Sequence, residues 1–389
     1  MKILSLFDGM SVAQQALKEL DIPVTKYYAS EIDKYAVATT QANHPKTVQL
    51  GSVVGLTLDD DIDLLIGGSP CQDLSIAKKN REGLKGQRSG LFYEYVRIRD
   101  EVKPKYFILE NVASMPKEAK EQISEILGVQ PVMINASLVS AQNRKRLFWV
   151  GKRVDIEDID NNHMVGEYRQ VEISQPKDRG ILLKDVLEEN VDEKYYVIGD
   201  WKVKKNPVDS NTHGAAVRKQ VNDYRGIEIR KDQKSNALNT IENHKLVRIG
   251  SLNSGGQGDR IYSEQGKSVS LSANGGGRGA KTGLYAIDKS IKNFRNADEK
   301  SVAMTATMWK GYGNDGVTTV ANENTQIRKL TPTECLRLQS MPDDYFDKAY
   351  TTRGKSEKQY PISNTQRYKM CGNAFNCEVV KHIISQLDI

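Results

Sequence analysis

Four times in its first 112 residues this chain runs a short apolar segment into a loop or strand end rich in chemically useful residues. Ile3-Leu4-Ser5-Leu6-Phe7 leads into Asp8-Gly9-Met10-Ser11, and Tyr27-Tyr28-Ala29-Ser30 leads into Glu31-Ile32-Asp33. Leu64-Leu65-Ile66 leads into Gly67-Gly68-Ser69-Pro70-Cys71-Gln72-Asp73, and Tyr106-Phe107-Ile108-Leu109 into Glu110-Asn111-Val112. Short apolar runs closed by Gly, Pro or polar residues read as buried strands. Helical spacing separates them at Val12–Leu20 and Leu91–Ile98. Strand alternating with helix predicts an α/β fold over residues 1–150, a doubly wound and mostly parallel sheet. In such sheets ligands sit beyond the carboxyl ends of the strands, so the four loops are the candidate site.

Each loop has a functional and a plain reading. A thiol at Cys71, beside main-chain N–H groups and near arginines, can fall below its free pKa of ~8.5 and act as a nucleophile; it can equally be a small buried hydrophobe after a turn. A strand, a Gly loop and a helix start with Ser11 as N-cap form a nucleotide-type cradle. Glu31, about twenty residues past that loop, suits ribose hydroxyls or simply caps the next helix. Glu110 is a helix cap or a functional acid, whose pKa rises if it is partly buried. In Gln142-Asn143-Arg144-Lys145-Arg146, two arginines with one residue between them open the strand Leu147–Val150. That spacing sets both guanidiniums on one face, either for a ligand or for surface acids. Lys78–Gly90 is a polar loop with the residues of a mobile phosphate-seeker or of ordinary surface.

The 389 residues are enough for two domains. Apolar content of 38% and charged content of 27% are those of a soluble globular chain, and no apolar run nears the ~18 residues of a membrane span. With no signal-like start, a cytoplasmic location is expected. Cys71, Cys335, Cys371 and Cys377 form no CxxC pair or metal spacing, so reduced thiols and no metal are expected. Charge is uneven: seven Lys/Arg against thirteen Asp/Glu in 151–200, but eleven against five in 201–250. Residues 200–325 are rich in Gly, Ser, Asn and Thr, with short alternating runs that favour hairpin-like β units. A weak repeat joins Lys234–Leu238, Lys267–Leu271 and Lys300–Met304, 33 residues apart. Gly-rich β loops with interleaved Arg and Gln suit a nucleic-acid groove. Thr331-Pro332-Thr333-Glu334 reads as a helix start, and a last helix is expected over Glu378–Leu387.

In this order, Phe7-Asp8-Gly9, Gly68-Ser69-Pro70-Cys71-Gln72, Glu110-Asn111-Val112, Gln142–Arg146, Arg328–Cys335 and Gly372-Asn373-Ala374 resemble the motifs of the cytosine-C5 DNA methyltransferases of bacteria and phages. The resemblance covers nearly the whole chain. It implies that a cytosine is flipped out of duplex DNA, that Cys71 attacks its C6, and that Glu110 hydrogen-bonds N3 and the exocyclic amine. Arg144 and Arg146 would orient base and acid. S-adenosylmethionine would be held by Phe7, Asp8, Gly9, Met10, Glu31, Ile32, Ser52, Pro70, Asn373 and Ala374. The loop from Ser75 to Arg88 would close over the base. Gln257 would fill the gap left in the duplex, Arg260 would read guanine, and Ser270 would belong to a second recognition stretch. Residues 1–190 with 355–389 would form the catalytic domain, and 195–345 an inserted β-rich target-recognition domain. A monomer is expected, acting on double-stranded DNA in the nucleoid of a bacterial or phage-infected cell. A cognate restriction endonuclease would be its functional rather than physical partner. Ser11 stands where many members have a second glycine, and Ser52 where an aspartate often contacts adenine. The competing readings are a tRNA cytosine-C5 methyltransferase, a catalytically inactive DNA-binding regulator and, more distantly, a small-molecule cysteine transferase.

Overall fold

The computed structural model describes residues 1–70, 90–154, 168–195, 203–205, 215–219, 225–229, 248–252, 260–264, 266–271, 284–288, 325–352 and 358–389. By its internal contacts the chain divides into two units. The larger comprises Met1–Ile181, Ser270–Asn274 and Pro332–Ile389; the smaller comprises Leu182–Val269 and Gly275–Thr331.

The larger unit is built on β1 (Lys2–Leu6), α1 (Val12–Glu19), β2 (Lys26–Ser30), α2 (Lys34–Asn43), β3 (Val48–Gln49), β4 (Leu64–Gly68), α3 (Leu91–Val102), β5 (Tyr106–Val112), α4 (Lys117–Leu127), β6 (Pro131–Asn135), β7 (Lys145–Arg153) and β8 (Tyr168–Gln170). Its sheet runs β3-β2-β1-β4-β5-β7-β6, with β8 on the far end of β7. The strands from β3 to β5 are parallel. β7 is antiparallel to both of its neighbours, β5 and β6. This is the expected α/β class. The order reverses between β1 and β4, which lie side by side with Leu6 opposite Gly67. That reversal opens a crevice beyond the strand ends, so the loop after β1 and the loop after β4 flank one place.

Both faces of the central strands are apolar because helices cover both. Leu4, Leu6, Leu65, Phe107, Leu109 and Trp149 are fully buried together with Phe92 and Tyr95 of α3 and Ile123 of α4. The polar atoms carried inside are paired: Trp149 Nε1 donates to Ser124 Oγ at 2.9 Å and Tyr95 Oη donates to the Ile108 carbonyl at 3.0 Å. Gly151 faces Phe107 across the β5–β7 ladder, and a Cβ there would lie 2.3 Å from the ring. That ring is held edge-on by Tyr168 at 5.0 Å. Gly151→Ala is therefore expected to destabilise the protein by about 1–3 kcal/mol or more, read as a lower urea midpoint at unchanged slope.

The smaller unit contains β9 (Val203–Lys205), β10 (Ala215–Lys219), β11 (Arg225–Ile229), β12 (Arg248–Leu252), β13 (Arg260–Ser263), β14 (Leu284–Asp288) and β15 (Thr325–Lys329). Five of these form a sheet in the order β15-β14-β13-β12-β9, and β10 pairs with β11. The inserted region is β-rich, as its composition predicts. Of the three repeat segments, 234–238 and 300–304 lie outside the described residues. The chain then returns to the larger unit with α5 (Pro332–Leu338), β16 (Tyr350–Thr352), β17 (Gln359–Pro361), α6 (Asn364–Asn373) and α7 (Cys377–Ile384). Asn376 caps α7 by accepting from Val379 N at 3.1 Å, which starts the helix one residue earlier than expected.

Candidate functional site

The loop after β1 is wound by left-handed residues. Phe7, Gly9 and Ser11 have φ of 56°, 60° and 57°, a conformation that costs non-glycine residues about 1 kcal/mol each. Ser11 stands at the start of α1 but does not cap it. Its hydroxyl donates instead to Asp8 Oδ2, and Tyr27 Oη donates to Asp8 Oδ1 at 2.8 Å. The helix-cap expectation for Ser11 fails because the left-handed backbone turns its side chain onto Asp8 and away from the helix N–H groups. Met10 is buried, and its carbonyl accepts from Tyr345 Oη at 2.8 Å. Glu31 grips the loop from the neighbouring strand end: Oε2 accepts from Gly9 N at 2.8 Å, and Oε1 from Ile32 N and Asp33 N at 2.7 Å each. Ile32 beside it is 80% exposed, an unusual place for so large an apolar side chain. Ser52 is exposed and accepts from Val54 N at 3.1 Å.

Asp8 faces inward, so it offers a ligand its backbone rather than its carboxyl. Burial pushes the carboxyl up to about 6, against the pull of the hydroxyls of Ser11, Ser5 and Tyr27, and the charge of Glu31 adds to the rise. A folded pKa above the unfolded one stabilises the fold fully below pH ~4, and the gain is lost as pH rises through about 6. The full span is at most about 3 kcal/mol. Asp8→Asn is expected to flatten this part of the stability curve, measured by urea unfolding between pH 4 and 8. An unchanged slope in the variant would show that another group titrates.

The second half of the site lies at the ends of β4 and β5. Gly68 stands opposite Glu110 in the parallel ladder. On β7, Arg146 faces Val112, which places it diagonally from Glu110 on the same sheet face. Arg146 Nε meets Glu110 Oε1 at 2.7 Å, and the two side chains are 18% and 13% exposed. Among the described residues no donor reaches Oε2, which faces Gly68. A Cβ on Gly68 would sit 3.1 Å from that oxygen and 2.9 Å from the Phe375 ring, so a side chain there would have to displace the ring or the carboxylate. Asn111, buried next to Glu110, donates to the carbonyl and hydroxyl of Ser69 at 3.4 and 3.2 Å. It thereby anchors the residue that precedes Pro70 and Cys71.

Arg144 and Arg146 line one pocket with Glu110, Ile134, Phe148 and Phe375, as two guanidiniums on one face should. Their partners differ. Arg144 is 4% exposed, and the hydrogen bonds it makes run to other segments. Its Nη2 donates to the Gly372 and Ala374 carbonyls at 3.1 and 2.9 Å, and its Nη1 to Ser270 Oγ and the Leu271 carbonyl, both at 3.3 Å. Asn373, between the two accepting carbonyls, is exposed, and Ala374 is buried. Gln142 is fully buried, donating to the Leu338 carbonyl at 3.2 Å and accepting from Leu271 N at 3.1 Å. No role for Gln142, Asn111 or Phe375 is readable in the sequence; Gln142 and Asn111 lie inside the quoted motifs, and Phe375 directly follows the last of them. Arg260 begins β13 and is half-buried. Cys71, Ser75, Arg88 and Gln257 lie outside the described residues. The described cysteines, Cys335, Cys371 and Cys377, are fully buried, and burial pushes each thiol up. No group of His, Cys, Asp and Glu among the described residues could hold a metal ion. No helix among them is long and apolar enough to cross a membrane.

A family model described as C-5 cytosine-specific DNA methylase matches residues 1–388. The orphan methyltransferase M.SPRI of Bacillus phage SPR is 27% identical, covering 100% of this chain and 97% of its own. The orphan methyltransferase M.SPBetaI of Bacillus phage SPbeta is 25% identical with the same coverage. Among solved structures, S. pombe Dnmt2 methyltransferase gives a TM-score of 0.54 at 17% identity over 99% of this chain and 97% of that one. The Entamoeba histolytica methyltransferase EhMeth gives 0.56 at 13% identity, with the same coverage. These two share the fold. With the ladder-end acid, its arginine and the wound first loop all inside a match that runs the length of the sequence, the chain belongs to the C-5 cytosine-specific DNA methylase family and is a DNA cytosine-C5 methyltransferase.

Proposed function

We propose that the chain methylates a flipped cytosine in a fixed duplex sequence through a covalent bond from Cys71 to C6, with S-adenosylmethionine as methyl donor. The observation that carries this is the Glu110–Arg146 pair at the end of β5. One carboxylate oxygen is tied to the guanidinium; the other is turned to the strand end that leads to Cys71.

The donor fits the first loop. Space beside Gly9 is open where a Cβ would stand, so a ligand can approach the backbone there closely. Glu31, already oriented by three N–H groups, keeps lone pairs for ribose hydroxyls. Exposed Ile32 offers an apolar face to a purine. Phe7, Met10, Ser52, Pro70, Asn373 and Ala374 complete the set assigned to it. When bound, it supplies an electrophilic methyl group.

The base must leave the duplex, at a cost of a few kcal/mol. The Cys71 thiolate adds to C6 while Glu110, carrying a proton on Oε2, gives it to N3 and accepts a hydrogen bond from the amine; the proton neutralises the charge that builds on the ring and returns to Glu110 when the cysteine leaves. Arg146 holds Glu110 in place. C5, now electron-rich, is the carbon that would take the methyl, with S-adenosylhomocysteine as the leaving thioether; loss of the C5 proton to water and expulsion of the Cys71 sulfur as thiolate then restore the aromatic ring. Ser75 and Arg88 belong to the loop proposed to close over the base. Gln257, Arg260 and Ser270 are proposed to read DNA, the first two from the β-rich insert, which we take as the target-recognition domain. Labelled-methyl transfer should be strong to unmethylated duplex DNA and absent for tRNA. Transfer to tRNA alone would favour the RNA reading, and none to either would favour an inactive DNA-binding protein.

A further inference from the structure

Ser11 holds a left-handed backbone with φ of 57°, where any side chain is strained. Such a residue persists only where its surroundings hold it, and here a chain of hydroxyls does. Thr40 Oγ1, on α2, donates to Ser11 Oγ at 3.1 Å. Ser11 Oγ donates in turn to Asp8 Oδ2, and Tyr27 Oη closes the chain on Asp8 Oδ1 at 2.8 Å. All four residues are buried, Ser11 and Thr40 completely, so water does not replace a lost partner and the loss is felt in full. The backbone is clasped at the same place. Ser11 N donates to the Asp8 carbonyl and Asp8 N to the Ser30 carbonyl, both at 3.2 Å, and the Gly9 carbonyl lies 3.5 Å from Thr40 Oγ1. Neither Ser11 nor Thr40 belongs to the set assigned to the methyl donor.

We propose that Ser11 and Thr40 are positioning residues for the methyl donor: the Thr40–Ser11–Asp8 chain holds the first loop in the left-handed winding that presents the backbone of Phe7–Met10. Without the chain, strain at Ser11 favours unwinding. Only the wound fraction binds, so the apparent affinity falls with that fraction. A glycine in place of Ser11 carries no such strain, and a loop with that substitution has far less need of the Thr40 hydroxyl. The inference rests on the proposed function, which places the donor on this loop.

The test is a double-mutant cycle on S-adenosylhomocysteine affinity, measured by titration calorimetry. Thr40→Val deletes the hydroxyl at nearly constant volume and is expected to weaken binding about three- to tenfold. Thr40→Ser keeps the hydroxyl and should bind within about twofold of the wild type. With Ser11→Gly already present, Thr40→Val should cost less than about twofold. An unchanged affinity in Thr40→Val, or the same loss with and without Ser11→Gly, overturns the inference. In steady-state turnover the Thr40→Val defect should lie in the donor KM, with kcat at saturating donor within about threefold of the wild type; a defect confined to kcat overturns the inference as well. Failure of the wild type to bind S-adenosylhomocysteine would instead count against the proposed function. If Thr40→Val lost its cooperative thermal transition, Thr40→Ala and Thr40→Ser, which differ only by the hydroxyl, give the same comparison: weaker binding by the alanine variant supports the inference and equal binding refutes it.

Discussion

Replacing Cys71 with alanine is expected to abolish methyl transfer, with a loss of at least about 10⁴-fold. The size follows from how little else can serve. Each of the three described cysteines is enclosed in the core with its thiol pushed up by burial, whereas a nucleophile needs thiolate and access. Without addition at C6, the C5 carbon of cytosine is too electron-poor to take a methyl group. Binding of S-adenosylhomocysteine is expected to stay within about threefold, because the site proposed for it rests largely on backbone groups of the first loop. A duplex containing 5-fluorocytosine separates chemistry from binding. Fluorine at C5 cannot leave as a cation, so the wild type should be trapped as a covalent adduct visible on a denaturing gel. Cys71→Ala should give no adduct; an adduct of normal yield would show that another residue attacks.

Glu110→Gln is the second large effect, an expected drop of about 10²–10⁴ in the single-turnover rate. The substitution keeps the shape of the side chain and removes its charge and its capacity to exchange a proton. It also leaves Arg146 without its carboxylate in a pocket where the pair is mostly buried. About 1–3 kcal/mol of stability should go with it. DNA affinity should change far less than rate, since the role proposed for the acid is on charge that develops only after C6 is attacked. A single-turnover rate within tenfold of the wild type would remove Glu110 from the chemistry.

The parallel sheet and the loops that matter were legible because buried parallel strands announce themselves. Leu64–Ile66 and Tyr106–Leu109 are apolar on both faces and stop at glycines or at a carboxylate. The pairing of Glu110 with Arg146 was readable only as a convergence of strand ends; it took the antiparallel insertion of β7 between β5 and β6 to make them diagonal neighbours. Arg144 shows the limit. Spacing set it on the same face as Arg146, and both do line one pocket. Nothing in the local sequence said that carbonyls more than 200 residues later would claim its guanidinium. Ser11 was misread as a cap for a similar reason: a serine before a helical run is usually one, but three left-handed residues within five wind this loop so that its hydroxyl serves Asp8. Gln142 and Asn111 carry no readable role in the sequence, and tertiary neighbours make each a buried connector.

C5-methyl marks on cytosine in DNA, written through Cys71, are the product expected of this chain. Bisulfite sequencing of DNA from cells expressing the wild type and Cys71→Ala tests this most directly. Conversion-resistant cytosines in one fixed sequence context are expected with the wild type, and none with the variant. Fully converted DNA from cells containing folded wild-type protein, or the same resistant cytosines in both, would contradict it.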